Sequence, residues 1–183
     1  MNAILVLYHS RSGSVKALAE EIADSIEAHG SDVLLRCVSD DGEHPKATKD
    51  ELAQCSALAF GTPTRFGSMA AQAKIFWEQT SDVWLKGQLI DKPACVFTST
   101  SSMHGGNEAT LLNLSLPLLH HGMMLLGVPY DVPALNATTS GGAPYGASHV
   151  AGLDNSSQLS NDEKQICQAL GRRLADIARK LHD

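Results

Sequence analysis

The sequence predicts an α/β fold, a five-stranded parallel sheet in the order 2-1-3-4-5 with helices on both faces. Three observations lead there. Short apolar runs alternate with segments of helical periodicity five times along the chain, the mark of strand–crossover–strand units with right-handed connections. The first run, Ala3-Ile4-Leu5-Val6-Leu7-Tyr8, is apolar at nearly every position, as suits a strand covered on both faces. The three most unusual loops, 9–15, 61–67 and 98–106, each follow such a run, so a parallel sheet brings them to one rim, where the order switches between the first and third strands.

Behind the first run, Val15, Leu18, Ala19, Ile22, Ala23 and Ile26 fall at helical spacing, placing a helix that ends near His29-Gly30. Val33 to Val38 is the second strand. Residues 39–50 are polar, contain Pro45 and connect over the surface to a short helix around Asp50 to Gln54. Ala57 to Phe60 is the third strand, and the helix beyond its loop sets Met69, Ala73, Phe76 and Trp77 on one face. Ser81 to Gln88 is a polar stretch holding Trp84. Ala94 to Phe97 is the fourth strand, and a leucine-rich helix follows over roughly Glu108 to His121, with Pro117 expected to kink or restart it. Met123 to Val128 is the fifth strand. Residues 129–160 show no sustained period, and so long a connection is usually functional in a compact domain. Ser160-Asn161-Asp162-Glu163 has the form of a capping box, and Ile166, Leu170, Leu174, Ile177, Ala178 and Leu181 draw the stripe of a closing helix.

With 183 residues, 43% of them apolar and 19% charged, the chain is expected to form one domain over residues 1–183 with an ordinary core. No stretch has the length of a membrane span and the N-terminus shows no signal-peptide pattern, so a cytoplasmic protein is expected. A net charge of −6 spread along the chain argues against nucleic acid as a partner. Cys37, Cys55, Cys95 and Cys167 lack C-x-x-C spacing and read as reduced thiols. His120 and His121 are adjacent, and helical neighbours point about 100° apart. No metal site is expected.

The turn Tyr8-His9-Ser10-Arg11-Ser12-Gly13-Ser14-Val15 joins a strand to a helix and aims backbone amides, with the positive end of the helix, at the space above the strand. The hydroxyls of Ser10, Ser12 and Ser14, the flexible Gly13 and the cation of Arg11 make a cradle for a phosphate monoester, while neither the dinucleotide fingerprint nor the P-loop pattern is present. Flavodoxin-like proteins hold the phosphate of FMN on a serine-rich turn of this kind. In Gly61-Thr62-Pro63-Thr64-Arg65-Phe66-Gly67, Thr64 and Arg65 offer edge donors and Phe66 an apolar face, which a planar heteroaromatic needs. The small residues of Thr98 to Gly106 let amides approach a ring edge. Taken singly, these loops also read as a helix-starting turn and a hydroxyl-rich cap. His120 also reads as a helix-end residue facing the dipole, and Trp84 as a cap on the core.

Four motifs in order, Gly61 to Gly67, Phe97-Thr98-Ser99-Thr100 leading to His104-Gly105-Gly106, Leu118-Leu119-His120-His121-Gly122-Met123, and Gly141-Gly142-Ala143-Pro144-Tyr145-Gly146-Ala147, resemble the WrbA family of NAD(P)H:quinone oxidoreductases. That family is flavodoxin-like, binds FMN without a covalent bond and forms tetramers in which neighbouring subunits complete each site. The resemblance implies that Ser10, Arg11, Ser12, Gly13, Ser14 and Val15 hold the FMN phosphate. It implies that Pro63, Thr64, Arg65, Phe66 and Gly67 contact the flavin, and that Ser99, Thr100, Ser101, Ser102, Gly105 and Gly106 line its other edge. It also implies that His120 reaches the flavin site, that Trp84 borders the pocket from an adjoining subunit, and that Tyr130 lies near the substrate. The chain departs from the family at Ser12, where an aromatic is frequent, and its 39–50 connection is shorter than in many relatives.

The implied activity is transfer of two electrons from NADH or NADPH to a quinone through FMN, with ping-pong kinetics, in a homotetramer. Phe66, Trp84 and Tyr130 would form the slot for the planar substrates, and His120 would hydrogen-bond a quinone oxygen. Two other readings share the pattern. A one-electron flavodoxin-type carrier usually shows a strongly acidic face around the flavin, and an interaction protein with a vestigial FMN site would be colourless when purified.

Overall fold

The computed structural model describes residues 3–182; Met1, Asn2 and Asp183, at the ends of the expected domain, lie outside them. The strands are β1 (Ile4–Tyr8), β2 (Val33–Cys37), β3 (Ala57–Pro63), β4 (Pro93–Thr100), β5 (Met124–Leu125) and β6 (Ala147–Val150). They form one parallel sheet in the order β2-β1-β3-β4-β5, with β6 also on β4. The helices are α1 (Ser14–Ala28), α2 (Lys49–Gln54), α3 (Ala71–Glu78), α4 (Ser81–Leu85), α5 (Asn107–His120), α6 (Pro133–Ala137) and α7 (Asn161–His182).

Strand alternation divides the interior into two cores. Ile4, Val6 and Tyr8 point to one face with Ala57, Ala59, Cys95 and Phe97, where they meet Leu18 and Ile22 of α1 and Ile166, Leu170 and Leu174 of α7. Leu5, Leu7, Leu58, Phe60 and Val96 point to the other, against Leu52 of α2, Phe76 and Trp77 of α3 and Leu111, Leu114 and Leu118 of α5. Each fully buried leucine or isoleucine here contributes about 1.5–3 kcal/mol. β1 and the segments of β3 and β4 up to Phe60 and Phe97 are apolar because both their faces are covered, as expected from the sequence.

Four expectations need correction. First, β3 and β4 run three residues beyond Phe60 and Phe97. Thr62 pairs with Thr98 and Pro63 with Ser99, so part of each presumed loop is strand. Gly61 permits this, since a Cβ there would lie 2.1 Å from the Phe97 ring. Second, only Met124–Leu125 of the expected fifth strand pairs, opposite Pro93 and Ala94. The chain then leaves the edge and returns as β6, which continues along the same side of β4 opposite Phe97 to Thr100. The amide of Val128 bonds the Pro144 carbonyl instead of β4, and Pro129 has no amide proton to offer.

Third, the region 129–160 contains α6 and β6, elements too short to show a period. Fourth, α5 runs unbroken through Pro117, because Leu114 and Leu118 on either side are buried in the same core and outweigh the lost backbone bond. The short helix α4 also lies in the stretch that reads as merely polar. The capping box before α7 forms as expected: Ser160 Oγ accepts from the Glu163 amide at 3.2 Å and a Glu163 carboxylate oxygen accepts from the Ser160 amide at 2.8 Å. Among the described residues no helix is long and apolar enough to cross a membrane, and no group of His, Cys, Asp and Glu could hold a metal ion.

Candidate active site

The loops after β1, β3 and β4 meet at the carboxyl ends of the strands, around a cavity of about 690 Å³. The first loop contributes Ser10, Arg11, Ser12, Ser14 and Val15, the second Pro63, Thr64, Arg65 and Phe66, and the third Ser99, Thr100, Ser101 and Gly105. Residues about ninety positions apart in sequence thus share one wall. No carboxylate lines the cavity, and Arg11 and Arg65 are its charged groups.

Each wall has a local cause. Gly13 is the N-cap of α1 with φ 91°, a left-handed conformation that glycine adopts freely, and it carries no capping side chain. The first-turn amides of α1 therefore have no side chain in front of them and no partner within the helix. Ser10 Oγ accepts from the Gly13 amide at 3.2 Å and folds the loop back on itself. Ser14 Oγ donates at 3.1 Å to the carbonyl of Ser156 and so ties the first loop to the far wall.

The second loop is a tight reversal. Arg65 and Ser68 exchange backbone hydrogen bonds at 2.8 and 3.1 Å across Phe66 and Gly67, whose φ values of 53° and 77° fit a type I′ turn. A phenylalanine at positive φ is costly, and this one is fully exposed. The two backbone bonds between Arg65 and Ser68 hold it in that conformation, with its ring turned to solvent. Asn113 of α5 anchors the turn, its Oδ1 accepting from Ser68 Oγ at 2.9 Å and from the Met69 amide at 3.1 Å. Thr64 is tied to the third loop by its amide, which donates to the Ser99 carbonyl at 2.9 Å.

Gly13, Gly67, Ser102 and Gly106 do not line the cavity but shape it. A Cβ on Gly106, φ 97°, would stand 3.3 Å from Gly67 Cα, so this pair lets the second and third loops touch. The Ser102 carbonyl accepts from Thr100 Oγ1 and the Gly105 amide, closing the third loop. Ala151 and Asn155 complete the cavity, and sequence reasoning missed both. Asp154-Asn155 is turn-forming, and Asn155 has φ 55°, but no periodicity tied this segment to the rim.

The segment carrying Asn155 is braced from below. Glu163 is 1% exposed and accepts from the amides of Gly141, Val150 and Ser160 and from His149 Nδ1 at 2.9 Å. The other nitrogen of His149 meets the Ser156 carbonyl at 2.8 Å. Both ring nitrogens therefore face acceptors, and only an imidazolium satisfies both. Burial works against that charge, but the Glu163 carboxylate and the carbonyl outweigh it and hold the His149 pKa above its ordinary value. Burial likewise opposes the carboxylate, yet His149 and the amides bring Glu163 down to about 2.

His120 and Trp84 lie elsewhere. They line a second cavity of about 820 Å³ among α3, α4 and α5, with Met69, Trp77, Pro117 and His121, and Trp84 Nε1 donates to the His120 carbonyl at 2.9 Å. Only Arg65 borders both cavities. Tyr130 is exposed beside neither, on the connection that leaves β5. The structure thus brings together the three cradle loops, and of the four residues implied to act on substrate it keeps Phe66 with them while Trp84, His120 and Tyr130 lie outside their cavity.

Residues 3–130 match the family model described as NADPH-dependent FMN reductase. The chain is 41% identical, over 99% of both sequences, to a protein of Chromohalobacter salexigens named NAD(P)H dehydrogenase (quinone). It is similar in fold to a solved flavodoxin, WrbA-like protein from Agrobacterium tumefaciens, at TM-score 0.75 and 24% identity over 98% of this chain and 99% of that one. A flavodoxin from the domain Archaea superposes at TM-score 0.68 and 22% identity, over 97% and 99% of the two chains. By its match over most of its length, together with that full-length relative, the chain belongs to the NADPH-dependent FMN reductase family.

Proposed function

We propose that the protein is an FMN-dependent NAD(P)H:quinone oxidoreductase that works in the cytoplasm as one domain per chain and as a homotetramer. The observation that carries this reading is the convergence of three strand-end loops on one carboxylate-free cavity whose donors match a phosphorylated planar ring. Its volume of about 690 Å³ is within the usual range for a cofactor-sized ligand. The uncapped start of α1, Ser10, Ser12 and Arg11 suit the phosphate, since helix N-terminal amides and a guanidinium favour a dianion without a dedicated lysine. Pro63, Thr64, Arg65 and Phe66 suit one side of the ring, and Ser99 to Gly106 the other.

FMN, when bound, supplies the two-electron redox chemistry that links a nicotinamide to a quinone. The residues of this chain bind, orient and exclude water. Phe66 offers an apolar wall to either planar substrate, and Arg65 offers fixed positive charge where electron density accumulates on an oxygen. Because one slot serves both substrates, they enter in turn, and ping-pong kinetics follow. Trp84, His120 and Tyr130 are supplied to that slot by neighbouring copies. Support for this comes from the second cavity, whose largely apolar wall carries the half-exposed Trp84 and the exposed His120 open to a neighbouring copy. The four buried free thiols suit a reducing compartment.

An anaerobic titration of FMN-loaded protein with NADH and with NADPH, followed by benzoquinone, tests the reading. The yellow colour is expected to bleach with nucleotide and return with quinone. Failure to take up FMN, or failure of both nucleotides to bleach it, overturns the proposal.

A further inference from the structure

Beside the large cavity lies a smaller one of about 290 Å³, lined by His9, Ser10, Arg11, Asp41, Arg65 and Gln72. It shares Ser10, Arg11 and Arg65 with its neighbour, so the two are contiguous. Its lining is wholly polar, and its donors have capacity to spare. Arg11 and Gln72 make no side-chain hydrogen bond or ion pair among the described residues, and Arg65 spends only Nη1, on the Thr64 carbonyl at 2.8 Å. Gln72 stands in the first turn of α3, whose N-cap Ala70 carries only a methyl group and makes no capping hydrogen bond to the first amides.

His9 gives an independent indication. Its backbone is fixed by a 3.0 Å bond from its amide to the Gly61 carbonyl, which holds the side chain at the cavity. The residue is only 9% exposed, yet its ring has no hydrogen-bond partner among the described residues. Burial, and secondarily Arg65, outweigh the pull of Asp41 and lower its pKa, so near neutral pH the ring is a neutral donor and acceptor. Its ring opens on the cavity, where a ligand oxygen would bond it.

Two guanidiniums against the single carboxylate of Asp41, with an uncapped helix start and a free imidazole, select an anion on a chain whose overall charge is −6. We propose that this cavity is the phosphate subsite of the nucleotide co-substrate: His9, Arg65 and Gln72 donate to phosphate oxygens, Arg11 stands between them and the flavin's phosphate and serves both, and Asp41 accepts from a ribose hydroxyl. This rests on reading the larger cavity as the flavin site, where the α1 start already serves the flavin's own phosphate. A pyridine nucleotide has two sources of phosphate, the adenosine 2′-phosphate that only NADPH carries and the pyrophosphate that NADH and NADPH share. Arg65 borders both cavities, so a dinucleotide passing from the ring to the subsite runs along its guanidinium.

Gln72→Glu tests the assignment, since Gln72 is exposed, lies outside the larger cavity and would place a second carboxylate in the smaller one. With saturating FMN and benzoquinone, KM for NADPH is expected to rise about tenfold or more. An unchanged KM for NADH then identifies the 2′-phosphate, and an equal rise identifies the pyrophosphate. KM values within twofold of the parent for both nucleotides overturn the proposal. Calorimetric titration of the flavin-free chain with adenosine 2′-monophosphate, pyrophosphate and adenosine reads the subsite without turnover. At least one phosphate compound is expected to bind about tenfold more tightly than adenosine and to lose that advantage in Gln72→Glu. No advantage over adenosine overturns the subsite even if flavin is reduced, and a chain that binds the phosphate compound but takes up no FMN retains the subsite while losing the flavin reading.

Discussion

The two large cavities on either side of the 64–69 turn are built in opposite ways. The cavity at the strand ends is polar, and its walls are cross-tied within one chain by Thr64 to Ser99, Ser14 to Ser156 and the buried His149–Glu163 pair. The cavity among α3, α4 and α5 is largely apolar, holds the half-exposed Trp84 and the exposed His120, and leaves Trp77 Nε1 and His121 Nδ1 without partners. Thr80 sharpens the contrast. Its hydroxyl donates to the Trp77 carbonyl at 2.8 Å, so His121 Nε2 must donate to Thr80 and its buried Nδ1 is left with a bare lone pair. A site finished by its own chain depends on internal bracing; an unfinished one depends on what covers it.

The largest expected effect comes from breaking the brace. Glu163→Ala removes the acceptor of three backbone amides and strands the His149 cation in the interior, a loss of about 3–5 kcal/mol for a broken buried pair. Urea unfolding of flavin-free protein should show it as a lowered midpoint, with FMN retention falling alongside. Trp84→Ala, on the exposed side of the second cavity, should move the same midpoint by less than about 1 kcal/mol. Comparable losses in the two variants would erase the distinction between the cavities.

The same pair sets a pH window. His149 has its pKa raised in the fold, so its contribution is full below an unfolded value of about 6.5 and is lost as pH rises through the folded value. Glu163 is lowered from 4.5 to about 2, so its contribution is full above about 4.5 and is lost as pH falls through the folded value. Stability of the flavin-free chain from this pair should therefore plateau between about pH 4.5 and 6.5. His149→Gln is expected to flatten the alkaline limb of the urea midpoint against pH. An alkaline limb of unchanged slope in that variant would remove His149 as its source.

How much of this was legible in the sequence follows from how local each feature is. Apolar runs and helical stripes are contiguous, so β1 to β4, α1, α5 and α7 could be read directly, and the Ser160-to-Glu163 capping box needed only four residues. The rim could be inferred because the three loops all follow strands. The split of the last strand could not, because Met124–Leu125 and Ala147–Val150 are individually too short to signal and share an edge only through β4. Glu163 showed its capping role but not its second one, since His149 and Gly141 reach it from distant segments. His120 and Trp84 could be found as candidates but not placed. Spacing along a chain says nothing of which side of the 64–69 turn a side chain falls on.

On the unfinished side, His120→Ala should lower quinone turnover by about tenfold without abolishing it, with FMN affinity within twofold of the parent. His120 lines the second cavity and not the one at the strand ends, so loss of its imidazole should leave the strand-end loops of its own chain undisturbed. Complete loss of turnover with FMN still bound would make His120 an obligatory proton donor, and unchanged turnover would leave it outside the reaction.

The smallest signal is optical and tests whether the second cavity is covered. Of the two tryptophans, Trp77 is buried and Trp84 is 52% exposed in the single chain. If neighbouring copies cover α4, diluting the protein should uncover Trp84 and shift the summed emission to longer wavelength by a few nanometres, while Trp77 reports no change because the fold already shields it. The shift should vanish in Trp84→Phe, which removes the reporter but keeps an aromatic over His120. Concentration-independent emission, with a sedimentation coefficient that stays monomeric, would mean that the cavity among α3, α4 and α5 remains open to water, and Trp84 and His120 would then have no route to a neighbouring flavin slot.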